Sequence, residues 1–353
     1  MRDLVLAVSP GSSTTKVGLF RRTQPLARHV EAHAHGGGVR SASEQAQSRT
    51  RIVRAFLERA GVETGVLAAV VGRAGLLRPI PGGTYLVDEA LLRDAERGSH
   101  GEHPANLAAA IARTIADEQG CPAYVVEPLS ADELDVVARV TGIPGVVRHG
   151  RCDLLPMRVA ARQHARAVQR PMAELRLVVA HVGSDACAVC AFREGRAIDV
   201  VNRCDECPLS STGSGAVPPQ AVVSMCFAPG ATEEGVRRAI EQAGLLSHAG
   251  TREVEEVARR AERGDGRAVV LLDAMAYQVA KCVGELAVAL GGEVEAVLLT
   301  GKGAQVTAIL NGICRRVEWI APVFVYPGED DLAALAEGAW RVLSGEEPPR
   351  SYG

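Results

Sequence analysis

The sequence predicts an α/β protein built from two related halves. Its 353 residues exceed what one hydrophobic core commonly organises, and 47% of them are hydrophobic, enough to build a real core. Strand-like and helix-like apolar patterns interleave from end to end, as in layered sheets and helices. The chain also opens twice in the same way, at 4–20 and again at 176–202: an apolar strand, a turn of small residues, another strand. This is an internal echo rather than a strict repeat.

Residues 4–8 read as a buried strand, Gly11-Ser12-Ser13-Thr14-Thr15 as a hydroxyl-rich turn and 16–20 as its return strand. A helix is expected over 44–60 with Ser43 as its cap, then a strand at 68–71 ending in Gly72-Arg73-Ala74-Gly75. Residues 106–118 form a helix pattern, Ala123–Val126 a strand, and 132–141 and 158–167 further helices, the last leading into the next domain. The second half continues with strands at 176–181, 186–192 and 197–202, a Ser/Gly/Pro loop at 210–219, and helices at 231–243, 252–263 and 268–290. A strand at 296–299 ends in Thr300-Gly301-Lys302-Gly303, and the strand Val323–Tyr326 precedes a helix at 332–343. The expected domains are 1–165, joined by the C-terminal stretch 331–353, and 166–330.

Composition excludes several classes. A net charge of −3 and 3% aromatic residues offer neither the basic surface nor the stacking platforms of a nucleic-acid binder. No apolar run reaches the length of a membrane span, and the apolar N-terminus runs into Ser9-Pro10-Gly11 without a cleavage site, so the expected location is the cytoplasm. Nine cysteines then read as reduced thiols or metal ligands.

Three small-residue turns follow strands, at 9–14, 183–185 and 300–303. Glycines there let backbone N–H groups approach a phosphate; Ser12, Ser13 and Thr14 add hydroxyls and Lys16 adds charge. One such turn is weak evidence, and three together favour phosphate. Neither P-loop nor Rossmann spacing is present.

Longer segments carry a resemblance. Residues 4–16, the run Val71-Gly72-Arg73-Ala74-Gly75-Leu76-Leu77-Arg78-Pro79-Ile80-Pro81-Gly82-Gly83-Thr84-Tyr85, His103-Pro104-Ala105-Asn106, Val179-Ala180-His181-Val182-Gly183, residues 274–281, Ile320-Ala321-Pro322-Val323 and Tyr326-Pro327-Gly328-Glu329-Asp330 resemble, in order, the motifs of butyrate kinases of the acetokinase family. The resemblance spans essentially the whole chain. It implies a duplicated actin-like (ribonuclease H-like) fold with a nucleotide cleft between the two domains, a homo-oligomer, and the reaction butanoate + ATP = butanoyl phosphate + ADP with Mg²⁺. It implies Arg73, His103 and His181 as catalytic groups. For the nucleotide it implies Ser9, Gly11, Ser12, Thr14, Lys16, Gly183, Asp205, Gly301, Lys302 and Gly303, and for Mg²⁺ Glu127. An arginine suits a carboxylate or phosphoryl group because its fork pairs with two oxygens at once. The plainer readings, a surface arginine and two structural histidines, stand beside these.

The chain departs from that family at several positions. Ser9 stands for an asparagine, Gly183-Ser184-Asp185 for three glycines, Cys152-Asp153 for Phe-His, and Gly301-Lys302 for two glycines. The family's acidic residue after the fifth strand is Glu127 here, and the segment from Asp205 is one residue shorter, with the expected arginine falling near Gly213. An inactive relative that binds nucleotide or acts as a scaffold is therefore the alternative. A second rival is a metal or redox protein using Cys187-x-x-Cys190 and Cys204-x-x-Cys207, 13 residues apart. Against it, residues three apart in a strand face opposite ways, roughly 10 Å from each other.

Overall fold

The computed structural model describes residues 2–33, 41–183, 187–201, 207–328 and 330–353. They divide into two compact units, Met1–Asp132 with Asp330–Gly353, and Glu133–Glu329.

The first unit runs β1 (Leu4–Pro10), β2 (Thr14–Arg21), β3 (Gln24–Ala32), α1 (Ala42–Arg59), β4 (Leu67–Arg73), β5 (Thr84–Leu86), α2 (Glu89–Arg97), α3 (Leu107–Gln119) and β6 (Ala123–Val126). Its sheet order is β3-β2-β1-β4-β6-β5; β1, β4 and β6 are mutually parallel and the other pairs antiparallel. The parallel strands are buried on both sides, so their sequences are continuous apolar runs rather than alternating ones. Helix α3 lies so close to β4 that a Cβ on Gly72 would overlap Ala108. Helix α1 starts two residues earlier than its sequence suggests. Its cap is Ser41, in a reciprocal capping box with Glu44, because Glu44 stands three residues after Ser41 and can reach back to it.

The second unit runs α4 (Leu154–Ala167), β7 (Leu177–Val182), β8 (Cys187–Arg193), β9 (Arg196–Val201), α5 (Pro219–Cys226), α6 (Glu233–Glu241), α7 (Gly244–Ala249), α8 (Val254–Glu262), α9 (Gly266–Ala289), β10 (Ala296–Thr300), α10 (Thr307–Val317) and β11 (Val323–Tyr326). Its sheet order is β11-β10-β7-β8-β9, with β7, β10 and β11 parallel and the β7-β8-β9 meander antiparallel. Apart from β5, the two sheets have one topology: a meander whose first strand sits beside two parallel strands. The long helix α9 packs on β7, β8 and β9, with α8 and α10 against it.

The helix that follows the last parallel strand of each half packs on the sheet of the other. After β6 the chain leads to α4, which packs on β7 and β10; after β11 it leads to α11 (Asp331–Leu343), which packs on β1, β2, β4 and β6. A Cβ on Gly338 of α11 would overlap Val126. Residues 133–165, assigned to the first domain on sequence, thus belong by contacts to the second unit.

The helix expected at 132–141 does not form. Only a short 3₁₀ turn, Val136–Arg139, is present, because this stretch covers the edge strand β9 instead. Asp135 N–H donates to Ile198 O, Arg193 and Arg196 donate to the Asp135 carboxylate, and Ala197 N–H donates to Glu133, which also pairs with the buried Arg158. Among the described residues no helix is long and apolar enough to cross a membrane.

Candidate functional site

In the first unit, strand register gathers the candidates at the carboxyl ends of the parallel strands. Ser9 pairs with Lys16 across the β1–β2 hairpin, Val8 with Gly72 across β1–β4, and Arg73 with Val126 across β4–β6, so Ser9, Arg73 and Glu127 end three adjacent strands. Open α/β sheets bind ligands at such ends. Arg73 closes β4 with its side chain 15% exposed, and its Nη1 donates to Asp331 Oδ2 at 2.9 Å. Lys16 Nζ stands 4.0 Å from the same oxygen. Asp331 opens α11, next to Asp330, which caps that helix and takes an ion pair from Arg28. Neither the Asp331 bridge nor its partnership with two candidate cations was read from the sequence. The sequence feature that marks the place is the acidic pair Asp330-Asp331 at the start of the last helix.

The hairpin tip is tightly organised. Gly11 N–H donates to Thr14 O at 2.8 Å, and His33 N–H donates to Ser13 O. Ser12 and Ser13 are exposed, whereas Ser9 and Thr15 are buried. Such a turn presents amides and hydroxyls outward, the donor set that suits phosphate oxygens. His103 caps the short turn Pro104–Asn106, its Nδ1 accepting from Ala105 N–H at 3.1 Å. In the neutral ring the proton is then on Nε2, which is left as the donor. Glu127 is 1% exposed and has φ 46°, in the left-handed region. No group of three His, Cys, Asp or Glu side chains arranged to hold a metal occurs among the described residues. One carboxylate ligand nevertheless suits Mg²⁺, which takes one or two carboxylates and fills its octahedron with phosphate oxygens and water.

In the second unit the equivalent row is His181, Thr300 and Tyr326, paired across β7, β10 and β11. Gly183 follows β7 and is buried; Lys302 is exposed. Gly301 has φ 92°, and a Cβ on it would overlap the Val182 carbonyl; Gly303 packs on the Val182 side chain. These glycines are thus required by the close approach of the β10 loop to β7. Gly213 N–H donates to Ser210 Oγ at 2.9 Å, inside a loop whose Leu209 N–H is bound by Gln278 of α9. Asp185, Asp205 and Cys204 lie outside the described residues.

The Cys187-x-x-Cys190 pair is split across β8. Cys187 shares one face of β8 with Val189 and Ala191 in the core of the second unit, while Cys190 faces the other way, toward Cys152 and Arg158. Burial pushes the Cys190 thiol well above its ordinary range, so it is an inert core thiol. A groove of about 670 Å³ among α1, α2 and α3, lined by Arg51, Arg54, Glu96 and Thr114, holds none of the candidates.

Two half-sheets of one topology, each ending in polar or glycine-bearing strand tips, define the class: a duplicated actin-like α/β fold. Whole-chain comparison with solved structures supports it. An acetate kinase from Porphyromonas gingivalis matches with a TM-score of 0.79 at 17% identity, covering 98% of this chain and 100% of that one. A propionate kinase from Francisella tularensis subsp. tularensis matches with 0.77 at 17% identity, covering 95% and 98%. In sequence, the acetokinase family model matches residues 148–321. The probable butyrate kinase 2 of Caldanaerobacter subterraneus subsp. tengcongensis is 37% identical over 352 residues, 99% of each chain. The chain belongs to the acetokinase family.

Proposed function

We propose that the protein phosphorylates a short-chain carboxylate with ATP, most specifically butanoate + ATP = butanoyl phosphate + ADP. The observation that carries this is Arg73: a guanidinium ending a parallel strand beside Ser9, Lys16 and Glu127, in a chain 37% identical along its length to a probable butyrate kinase.

A carboxylate oxygen attacks the γ-phosphorus; the new O–P bond forms as the bond to the β–γ bridging oxygen breaks, and ADP leaves with that electron pair. The nucleophile is already anionic at neutral pH, so no general base is needed. Arg73 orients the carboxylate and neutralises phosphoryl oxygens; Asp331 holds the guanidinium until they arrive. His103, through Nε2–H, and His181 donate to oxygens of the transferring group. The turn with Gly11, Ser12 and Thr14, with Ser9 and Lys16 flanking it, takes nucleotide phosphate in the first unit. Gly183, Asp205, Gly301, Lys302 and Gly303 belong to the nucleotide in the second. Glu127 would hold Mg²⁺, which when bound supplies charge neutralisation to phosphate oxygens. The expected setting is the cytoplasm, and the expected assembly a homo-oligomer.

Trapping of acyl phosphate as hydroxamate, with purified protein, ATP, Mg²⁺ and C2–C6 acids, tests this reading. Turnover strongest near C4 is expected; no turnover above background with any acid would overturn it in favour of an inactive nucleotide-binding relative.

A further inference from the structure

Beneath the turn between β1 and β2 lies a charge that the reaction as described does not use. Arg49 of α1 is 5% exposed, and its Nη1 reaches Gly11 O at 2.8 Å, Thr14 O at 3.1 Å and Thr15 Oγ1 at 3.1 Å. Among the described residues no carboxylate pairs with it, although most other buried or half-buried arginines here have one; Arg73 has Asp331 and Arg158 has Glu133. Burying an arginine without a counter-ion is expensive, and neutral acceptors offset only part of that. Burial pulls its affinity for the proton down, in keeping with an uncompensated cation.

The acceptors explain what it does to the turn. Gly11 O and Thr14 O are held by Arg49 from the buried side, Thr14 O also accepting from Gly11 N–H, and Ser13 O is taken by His33 N–H just past β3, so three carbonyls of the tip are committed within the protein. Among the described residues no acceptor is paired with the Ser12 or Ser13 amide. Thr15 Oγ1 accepts from Arg49 and is hydrogen-bonded to His33 Nε2 at 2.8 Å, so the Thr15 side chain is held from two sides. Two carbonyls held over a buried cation, with the Ser12 and Ser13 amides unmatched on exposed residues, make a turn polarised toward an anion.

We infer that Arg49 is a positioning residue for nucleotide phosphate: it fixes the carbonyls of the 11–15 turn and leaves its own charge to be met by the phosphate that binds there. The inference rests on the phosphate-binding role proposed for this turn. It goes beyond that role by assigning the charge to a side chain on another element.

Calorimetric titration of the full-length protein with ADP, alongside kinetics with ATP and the best carboxylate, tests it. Arg49→Met keeps the length and removes the charge. ADP affinity should fall at least tenfold and KM for ATP should rise in step, while KM for the carboxylate stays within twofold. Arg49→Lys keeps the charge but cannot bridge three acceptors, so it should recover part of the loss. If Arg49→Met does not fold, Arg49→Lys decides alone, with a threefold or larger loss of ADP affinity expected. Unchanged ADP affinity in either folded variant, or equal rises in both KM values, would overturn the inference and leave Arg49 a core residue. Wild-type protein that binds ADP but phosphorylates no acid would sink the proposed reaction and leave Arg49 standing. Wild-type protein that binds no ADP would overturn both.

Discussion

The two units share a topology but not a chemistry. At the strand ends of the first stand Lys16, Arg73, Glu127 and Asp331, with Arg49 buried below. At the corresponding ends of the second stand His181, Thr300 and Tyr326, and glycines pressed against Val182. Duplication has thus kept the hydrogen-bonded frame, which depends on backbone pairing and buried apolar runs. The side chains at the tips, which carry no fold information, have diverged. One consequence is that glycines that look alike in sequence have different work. Gly11 sits in an open turn, where a Cβ would be 3.4 Å from its nearest neighbours, whereas Gly301 has no room at all.

That contrast makes the largest prediction. Gly301→Ala forces a left-handed backbone and a clash with the Val182 carbonyl, and should destabilise the protein by about 3 kcal/mol or more in urea titration. Gly11→Ala should stay within about 1 kcal/mol. Equal losses would erase the distinction between the two turns.

Next comes Arg73→Ala, which should lower kcat/KM by about 10², equivalent to roughly 2.7 kcal/mol of transition-state stabilisation. Arg73→Lys should remain impaired, because a lysine lacks the planar fork. Stability should fall modestly as well, since Asp331 loses its partner at a site where both side chains are under one-fifth exposed. A variant that melts early yet keeps full activity in its folded fraction would make Arg73 structural.

Asp331→Ala removes one anchor of the guanidinium and leaves the guanidinium in place. A loss of about tenfold in kcat/KM, roughly 1.4 kcal/mol, is expected. Should activity be unchanged, the bridge to Arg73 and Lys16 is incidental to catalysis.

The smallest effect is on pH. Burial, then the nearby Arg49 charge, lowers the His33 pKa below its ordinary 6.5, with Glu31 opposing. The folded state therefore binds this proton less readily than the unfolded state. The contribution is fully present above about pH 6.5 and is lost as pH falls below that toward the folded value. Melting temperatures of wild type and His33→Gln, compared between pH 7.5 and 5.5, should show a shallower acid decline in the variant; parallel declines would remove His33 from the turn's support.

Much of the frame was legible in advance. Ala123–Val126 and Val323–Tyr326 are strands with the bounds read from the sequence, since short apolar runs between turn residues leave little choice. Strand β3 was missed because Gln24–Ala32 is mostly exposed and lacks an apolar face, being held instead by its pairing with β2. The stretch after Asp132 was misread because its helical propensity lost to hydrogen bonds with an edge strand more than sixty residues away.

The site divides along the same line. Arg73, His103, His181 and the small-residue turns could be named from local motifs, because each depends on a few adjacent residues. The two side chains that order the first unit's turn and cation could not. Arg49 acts on Gly11 across 38 positions and Asp331 on Arg73 across 258. By itself, then, the sequence determined the α/β class, the echoed halves and the family motifs, all properties of local pattern. Which helix closes which sheet, which arginine is neutralised and which is left charged were decided only by the tertiary structure. Electrostatic pairing depends on distance in space, and the chain's order does not encode that distance.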